Sequence, residues 1–127
     1  MEQSSKTLTF VVPAYNMETY LERCVESLLS ATDNSDIEVL IVDDGSSDGT
    51  PELADMYERR WPGNVRAIHQ VNKGHGGAVN TGIANATGMY VKVVDADDWV
   101  DMPSIDTLMG TLRVQRVATD PVDMIVT

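Results

Sequence analysis

The sequence Val91-Lys92-Val93-Val94-Asp95-Ala96-Asp97-Asp98 is a short apolar stretch that leads directly into three carboxylates. Its first half is β-branched and apolar apart from Lys92, which predicts a strand covered on both faces, as in a parallel sheet. Three like charges this close together repel one another unless a cation lies among them. Hard divalent ions take carboxylate and phosphate oxygens as ligands. The stretch therefore indicates either a metal–diphosphate site or a solvated acidic turn that caps the next helix.

The composition is typical of one globular domain. The chain has 127 residues, 43% of them apolar, and a formal net charge of −11. This charge argues against a nucleic-acid partner, which needs a basic stripe on the protein. The sequence contains neither an apolar run of about eighteen residues nor a basic leader, so no membrane span and no secretory signal are predicted. The single cysteine, Cys24, fits a reducing compartment, and we expect a cytoplasmic location.

Strand-like and helix-like segments alternate along the chain after a polar segment, residues 1–6, that we expect to be disordered. Strands are predicted at residues 7–12, 37–42, 65–71, 89–94 and 122–126. Helices are predicted at residues 17–29, 50–60, 78–86 and 103–117, with Asn16 and Thr50 as N-caps of the first two and a glycine-rich loop at 72–77. This alternation predicts an α/β fold, a Rossmann-like, doubly wound and mostly parallel sheet in the order 3-2-1-4, with helices on both faces.

Three loops that are far apart in the sequence each follow a predicted strand. They comprise residues 13–16, 43–48 and 95–98. In doubly wound sheets, ligands bind outside the carboxyl ends of the strands, where the strand order reverses. We therefore expect the three loops to meet at one edge of the sheet, and this convergence favours a ligand site over a solvated acidic turn.

The same loops resemble those of the inverting family-2 glycosyltransferases, which have the GT-A fold. Four motifs carry the resemblance, in the order and spacing of the family, and they cover nearly the whole chain from Leu8 onwards. They are Val12-Pro13-Ala14-Tyr15-Asn16, then Val42-Asp43-Asp44-Gly45-Ser46-Ser47-Asp48-Gly49-Thr50, then Asn72-Lys73-Gly74 with Ala78 and Asn80-Thr81-Gly82, and Asp95-Ala96-Asp97-Asp98.

The resemblance implies which residues line a nucleobase pocket. Tyr15 would lie near the base, and Asp44 would accept a hydrogen bond from an N–H of the base. Asp43 would either orient this loop or reach the base or the ribose. The other residues implied in this pocket are Pro13, Ala14 and Asn16.

The resemblance also implies a metal site. Asp95-Ala96-Asp97 corresponds to the DxD-type element of the family, which faces the ribose and the Mn²⁺ or Mg²⁺ ion that bridges the diphosphate. Asp97 would be the metal ligand, with Asp98 as the alternative direct ligand. Lys73 lies where the family often places a basic residue near the nucleotide.

The implied reaction transfers a sugar from a nucleotide-diphosphate sugar, most often a UDP-sugar, to a hydroxyl of a saccharide or lipid-linked acceptor with inversion. An inverting transferase needs a general base, which in the family lies in an acceptor-binding half well after the DxD element. Only about thirty residues follow Asp98. We therefore expect residues 7–127 to be the nucleotide-sugar-binding GT-A domain of a longer enzyme, with its base beyond residue 127. Any place at the inner face of a membrane would depend on parts outside this chain.

Two other functions remain open from the sequence. A catalytically silent nucleotide-sugar-binding module would carry the same motifs. A receiver-type phosphoacceptor domain also joins paired aspartates to an α/β sheet and Mg²⁺. However, Asp43 and Asp44 follow the second predicted strand rather than the first, and no lysine ends a late strand. Among the remaining polar residues, His75 is more simply an exposed loop side chain than a phosphate ligand, and Asp48 is more simply a turn cap.

Overall fold

Five parallel strands form a single sheet in the order β3-β2-β1-β4-β5. The computed structural model describes residues 6–118 and 125–126. The strands are β1 (Leu8–Ala14), β2 (Ile37–Asp43), β3 (Val65–His69), β4 (Tyr90–Val93) and β5 (Ile125–Val126). The predicted parallel sheet and the 3-2-1-4 order of its first four strands are confirmed. The expected disorder of residues 1–5 and the strand prediction for residues 122–124 lie outside the described residues.

Four helices cover the two faces of this sheet. They are α1 (Leu21–Leu28), α2 (Thr50–Arg60), α3 (Gly74–Asn85) and α4 (Met102–Ala118). Side chains alternate along β1, so that Phe10 and Val12 pack in the core shared with α1, α2 and α4. Val11 points to the opposite face, where it packs with Ala78 of α3. The prediction of an α/β fold with helices on both faces is therefore confirmed.

β1 continues through Pro13 to Ala14, beyond the end that the proline predicted. Proline lacks an N–H and is normally excluded from inner strands. Pairing between β1 and β4 ends at Val11, whose carbonyl accepts from Val94 N, whereas the carbonyl of Ala14 accepts from Asp44 N on the β2 side. Because bonding alternates between the two neighbours along a parallel strand, the missing N–H of Pro13 faces the side where the ladder has already ended. The strand thus reaches the carboxyl edge of the sheet.

The first helix begins at Leu21, four residues later than predicted, and Asn16 does not cap it. Asn16 has a φ of 53°, outside the helical region, and its side-chain oxygen accepts from Ser47 N at 2.8 Å. The N–H of Leu21 bonds instead to the carbonyl of Met17 at 2.8 Å, in a turn that precedes the helix. The side chain of Asn16 is therefore used to join two loops.

The second helix begins at Thr50, but Gly49 is its N-cap residue. The Asp48 carboxylate accepts from Thr50 N at 2.9 Å and from Glu18 N at 3.1 Å. The hydroxyl of Thr50 accepts from Met17 N at 2.9 Å. The predicted capping residue was wrong by one position, whereas Asp48 does cap a turn as expected.

The third helix begins at Gly74, so the prediction of a loop over residues 72–77 holds for 72–73 and is wrong for 74–77. Glycine is a poor helix former, which is why the sequence pattern indicated a loop. The helix entry is held from outside the helix: Asp44 Oδ1 accepts from Lys73 N at 2.7 Å, and Asn72 Oδ1 accepts from Gly74 N at 3.1 Å. Gly74 itself has a φ of 82°, which few other residues adopt.

Close packing explains one glycine inside α3. A Cβ at Gly82 would collide with the side chain of Val11 on the sheet. The absence of a side chain at Gly82 therefore lets this helix approach the sheet closely.

A polar cluster around the buried Glu38 lies at the amino ends of the strands, on the α3 face. We call Thr9, Glu38, Arg66 and Thr87 the Glu38 cluster. The Glu38 carboxylate accepts from Thr9 Oγ1 at 2.7 Å, from Arg66 Nε at 2.8 Å and from both N and Oγ1 of Thr87 at 3.0 Å. Burial alone would raise the pKa of Glu38, but these hydrogen bonds outweigh it and lower the pKa below its usual value. The cluster ties β1, β2, β3 and the chain after α3 together.

Candidate functional site

A cleft of about 390 Å³ opens at the carboxyl edge of the sheet, where β1, β2 and β4 end. Its volume lies in the range of small-molecule sites, roughly 300–1,000 Å³. The structure thus brings the ends of three loops together, 13–16, 43–48 and 95–98, as the strand order requires. The cleft is lined by Pro13, Ala14, Tyr15, Met17, Asp44, Asn72, Gly74, His75, Ala78, Asp95, Ala96 and Asp97.

Most of the residues singled out in the sequence line this cleft, and four do not. Those in the lining are Pro13, Ala14, Tyr15, Asp44, Asp95, Ala96 and Asp97. Outside it lie Asn16, Asp43, Lys73 and Asp98. The cleft also includes Met17, Asn72, Gly74, His75 and Ala78, none of which was predicted to contact a ligand. Three of these belong to α3, whose early start brings its first turns to the cleft.

Asp44 is a buried carboxylate on the wall of the cleft, and only 3% of it is exposed. Its Oδ1 accepts from Gln70 Nε2 at 2.9 Å and from Lys73 N at 2.7 Å. Desolvation would raise the pKa of Asp44, but the hydrogen bonds from Gln70 and from the backbone N–H groups of Lys73 and Gly74 lower it below its usual value. Asp44 is therefore held ionised and rigid, and it can accept a hydrogen bond from a ligand.

Asp43 is also buried, but it serves the loop rather than the cleft. Its Oδ1 accepts from Ser46 N at 3.0 Å, and its Oδ2 lies 2.8 Å from His69 Nδ1. Of the two roles implied by the sequence, orienting the loop agrees with these contacts. His69 was not among the predicted residues, because it is a single histidine in a weak strand pattern. Only the folded structure shows that its ring contacts two carboxylates, those of Asp43 and Asp55.

Asn16 acts on the same loop from the other side. Its backbone N–H donates to Ser46 Oγ at 3.0 Å, and its side-chain oxygen accepts from Ser47 N at 2.8 Å. These bonds fix the position of Tyr15, whose ring is 48% exposed in the cleft. Asn16 therefore shapes the cleft without lining it.

Lys73 reaches the site through its backbone. Its N–H donates to Asp44, while its side chain packs beside Gly77, where an added Cβ would lie 2.5 Å from Lys73 Cβ. The charge of Lys73 also helps to lower the pKa of Asp44.

The acidic loop, Asp95 to Asp98, forms the opposite wall of the cleft. Carboxylate oxygens of Asp95, Asp97 and Asp98 lie within 4.8 Å of one another, and this is the one such group within residues 6–118 and 125–126. The loop is fixed by Asp98 N donating to the carbonyl of Asp95 at 2.9 Å and by Ala96, which is buried in the core. His75 Nε2 lies 3.0 Å from Asp95 Oδ1 and joins α3 to this loop.

Asp98 does not line this cleft. It lines a neighbouring groove together with His75 and Trp99. The Arg23 guanidinium lies over the ring of Trp99, with its Cζ 5.1 Å from the ring centroid. The three carboxylates thus lie between the cleft and this groove.

Comparison with known proteins assigns the chain to a family. The family model described as glycosyl transferase family 2 matches residues 9–122. The chain belongs to glycosyl transferase family 2. It is 45% identical over 93 residues to the uncharacterized glycosyltransferase EpsJ of Bacillus subtilis, a match that covers 73% of this chain and 26% of that protein.

Solved structures of glycosyltransferases share the fold. S. aureus TarS 1-349, in complex with UDP-GlcNAc, aligns with a TM-score of 0.76 at 26% identity, over 86% of this chain and 32% of that one. The mannosyltransferase PcManGT from Pyrobaculum calidifontis, in complex with GDP-Man and Mn²⁺, aligns with a TM-score of 0.73 at 26% identity, over 95% of this chain and 35% of that one. The family-2 resemblance and the fold expected from it are confirmed. The chain spans about a quarter to a third of the length of these relatives.

Among the helices within residues 6–118, none is long and apolar enough to cross a membrane.

Proposed function

We propose that this chain is the nucleotide-sugar-binding part of a glycosyltransferase that transfers a sugar from a UDP-sugar to a hydroxyl of a saccharide or lipid-linked acceptor, with inversion and with a divalent metal. The observation that carries the proposal is the cleft in which buried Asp44 faces the acidic loop. The complexes of TarS with UDP-GlcNAc and of PcManGT with GDP-Man and Mn²⁺ support it, because both proteins share this fold.

In this proposal the base binds between Tyr15 and Asp44. The exposed ring of Tyr15 offers a flat apolar surface for a base. Asp44 is ionised and already ordered by Gln70 and Lys73, so it can accept from a base N–H without a further cost in side-chain entropy. Pro13 and Ala14 complete the wall of the pocket. Asn16, Asp43 and Lys73 act by holding this wall in place.

The donor set of the acidic loop fits a hard divalent cation. Its three members offer only carboxylate oxygens, which Mg²⁺ and Mn²⁺ accept and which softer metals do not favour. We propose Asp97 as the ligand, with Asp98 as the alternative. When bound, the ion supplies positive charge to the diphosphate. Asp95, fixed by its contact with His75, would face the ribose.

The contacts of Asp43 disfavour the receiver-type alternative. A phosphoacceptor carboxylate must be accessible to its phosphodonor, whereas Asp43 is 3% exposed and both of its oxygens are engaged. A silent nucleotide-sugar-binding module differs from the proposed enzyme only in turnover, and sugar transfer or hydrolysis by the longer protein would separate the two.

A thermal-shift panel tests the proposed ligand class. Nucleoside diphosphates with different bases would be added to the chain with Mn²⁺, because a ligand that binds only the native state raises the melting temperature. We expect UDP to give the largest shift and GDP a smaller one. The absence of a shift with every nucleotide would contradict the proposal.

A further inference from the structure

His69 is held between two carboxylates, one on each side of its ring. It is the last residue of β3 and pairs in register with Asp43, the last residue of β2. Its Nδ1 lies 2.8 Å from Asp43 Oδ2, and its Nε2 lies 2.7 Å from Asp55 Oδ1 on α2. A neutral imidazole has one N–H donor, and only the imidazolium can donate to both acceptors. The geometry therefore selects the protonated ring.

A chain of hydrogen bonds runs from this imidazolium to the cleft. Asp43, bonded to His69 by one oxygen, accepts from Ser46 N with the other. The Ser46 hydroxyl accepts from Asn16 N, and Asn16 directly follows Tyr15, which lines the cleft. Each link is a single contact of 2.8–3.0 Å. The imidazolium thus sits at the start of the path that fixes the wall proposed to bind the base.

We propose that His69 is a positioning residue that holds this wall of the cleft, and that raising the pH, which leaves its ring a single N–H and no charge, loosens this hold and weakens nucleoside binding. The inference rests on the proposed function, because it takes the wall formed by residues 13–16 as the nucleobase pocket. His69 does not line the cleft, so it would act through Asp43 and not by touching the ligand.

The charged groups around His69 give the direction of the pH effect. Asp43 faces it from β2, and Asp55 and Glu58 lie on α2, the helix above it; Glu58 accepts instead from Ala67 N. The hydrogen bonds to Asp43 and then Asp55 raise the pKa of His69 above its usual 6.5. A raised pKa means that the contribution of this clamp is complete below pH 6.5 and is lost as the pH rises through the pKa of the folded state.

Two substitutions separate the two sides of the clamp. In His69→Asn the side-chain amide can occupy the position of Nδ1 and still donate to Asp43. In His69→Gln the amide reaches instead towards Asp55, and Asp43 loses its donor. Both variants are neutral at every pH, and both keep a polar side chain at a partly exposed position.

The experiment has one arm without a ligand and one with uridine, which carries no phosphate and needs no metal. The first arm follows hydrogen exchange of the Ser46 amide by NMR from about pH 6 to about pH 9, after correction for the intrinsic pH dependence of exchange. We expect protection in the wild type to be highest at about pH 6 and to fall with pH to the level of His69→Asn, which should be nearly constant because its neutral amide also donates to Asp43. Protection should be lowest throughout in His69→Gln. Equal protection in all three proteins at all pH values would overturn the proposal.

The second arm measures uridine affinity by NMR titration over the same pH range. We expect His69→Gln to bind roughly three- to tenfold more weakly than the wild type at about pH 6, the effect of about one lost hydrogen bond. We expect the affinity of the wild type to fall towards that of His69→Asn at high pH, because the neutral ring keeps one N–H for Asp43, and His69→Asn to show no such trend. A wild type that binds neither uridine nor UDP at any pH would contradict the proposed function, and the exchange of Ser46 would still decide whether His69 positions the loop. Equal affinity of the wild type and His69→Gln at the acidic end of the range would overturn the inference itself.

Discussion

Two sets of carboxylates at opposite ends of the sheet, Glu38 and the acidic loop, differ in how their negative charge is balanced. At the amino end, Glu38 is buried and its charge is balanced by Arg66 and by hydroxyl and amide donors. At the carboxyl end, Asp97 and Asp98 are exposed, and within the described part of the chain neither forms an ion pair. A carboxylate supplied with its own donors stabilises the fold. Carboxylates grouped without a cation cost repulsion, so they point to a ligand that brings the missing charge.

The largest effect is expected on the free energy of unfolding, when Glu38 is substituted. Glu38→Gln should lower the free energy of unfolding by roughly 2–4 kcal/mol, because Arg66 loses its partner and a buried charge-assisted network is broken. Arg66 is partly exposed, so water can replace part of its lost interaction with the carboxylate. A loss in the upper part of this range requires that water does not do so. Urea unfolding measures the loss, and Glu22→Gln, at an exposed position of α1, should stay within about 0.5 kcal/mol of the wild type. A Glu38→Gln variant as stable as Glu22→Gln would show that the Glu38 cluster does not stabilise the fold.

The next effect concerns the cleft. Asp44→Ala should weaken UDP binding by roughly 1.5–3 kcal/mol, the range for a hydrogen bond to a charged group. Because the contact is to the base, the loss should appear with Mn²⁺ and also with EDTA. Isothermal calorimetry measures it, with Asp33→Ala, at an exposed position before β2, as the matched control. Unchanged affinity in Asp44→Ala would remove Asp44 from the site.

The contribution of Glu38 to stability should depend on pH. The pKa of Glu38 is lowered from its usual 4.5, so its contribution to stability is present above pH 4.5 and is lost as the pH falls through the pKa of the folded state. The difference in unfolding free energy between the wild type and Glu38→Gln should therefore shrink on acidification below pH 4.5. Urea unfolding at a series of pH values checks this. A difference that stays constant down to about pH 3 would show that the carboxylate charge is not what Glu38 contributes.

The smallest effect is expected from the acidic loop in the absence of metal. Asp97→Asn removes one of three neighbouring like charges, so the ligand-free chain should be no less stable than the wild type, with a change of about 0.5 kcal/mol or less. The midpoint of thermal unfolding in EDTA measures this. Clear destabilisation would mean that the Asp97 side chain supports the fold although it is exposed.

The sequence predicted the sheet and the meeting of the three loops because these depend on strand–helix alternation and on a general rule of parallel sheets. Asp44 and Asp97 could be placed on one edge because each follows an apolar strand. What the sequence could not predict depends on contacts between distant residues. The helical start at Gly74 opposes glycine's own preference, and it forms because Asp44 accepts from the preceding N–H. His69 became meaningful only when β3 was aligned beside β2.

The same distinction explains the residues of the site that were misplaced. Asn16 looks like a helix cap in the sequence, and only its positive φ and its bond to Ser47 show that it joins two loops. His75 is exposed, as expected, but the sequence does not reveal that its ring also contacts Asp95. Local patterns thus identified the elements, whereas side-chain partners across loops required the fold.

The affinity of UDP measured with Mn²⁺ and with EDTA decides whether the acidic loop binds a metal ion. If the unbalanced carboxylates form a metal site, UDP should bind much more tightly with Mn²⁺ than with EDTA, because the diphosphate would otherwise meet like charge at short range. Asp97→Asn, or Asp98→Asn if that residue is the ligand, should abolish this difference and leave weak binding of uridine intact. Equal affinity of the wild type for UDP in Mn²⁺ and in EDTA would show that the acidic loop is only a turn, and it would contradict the account.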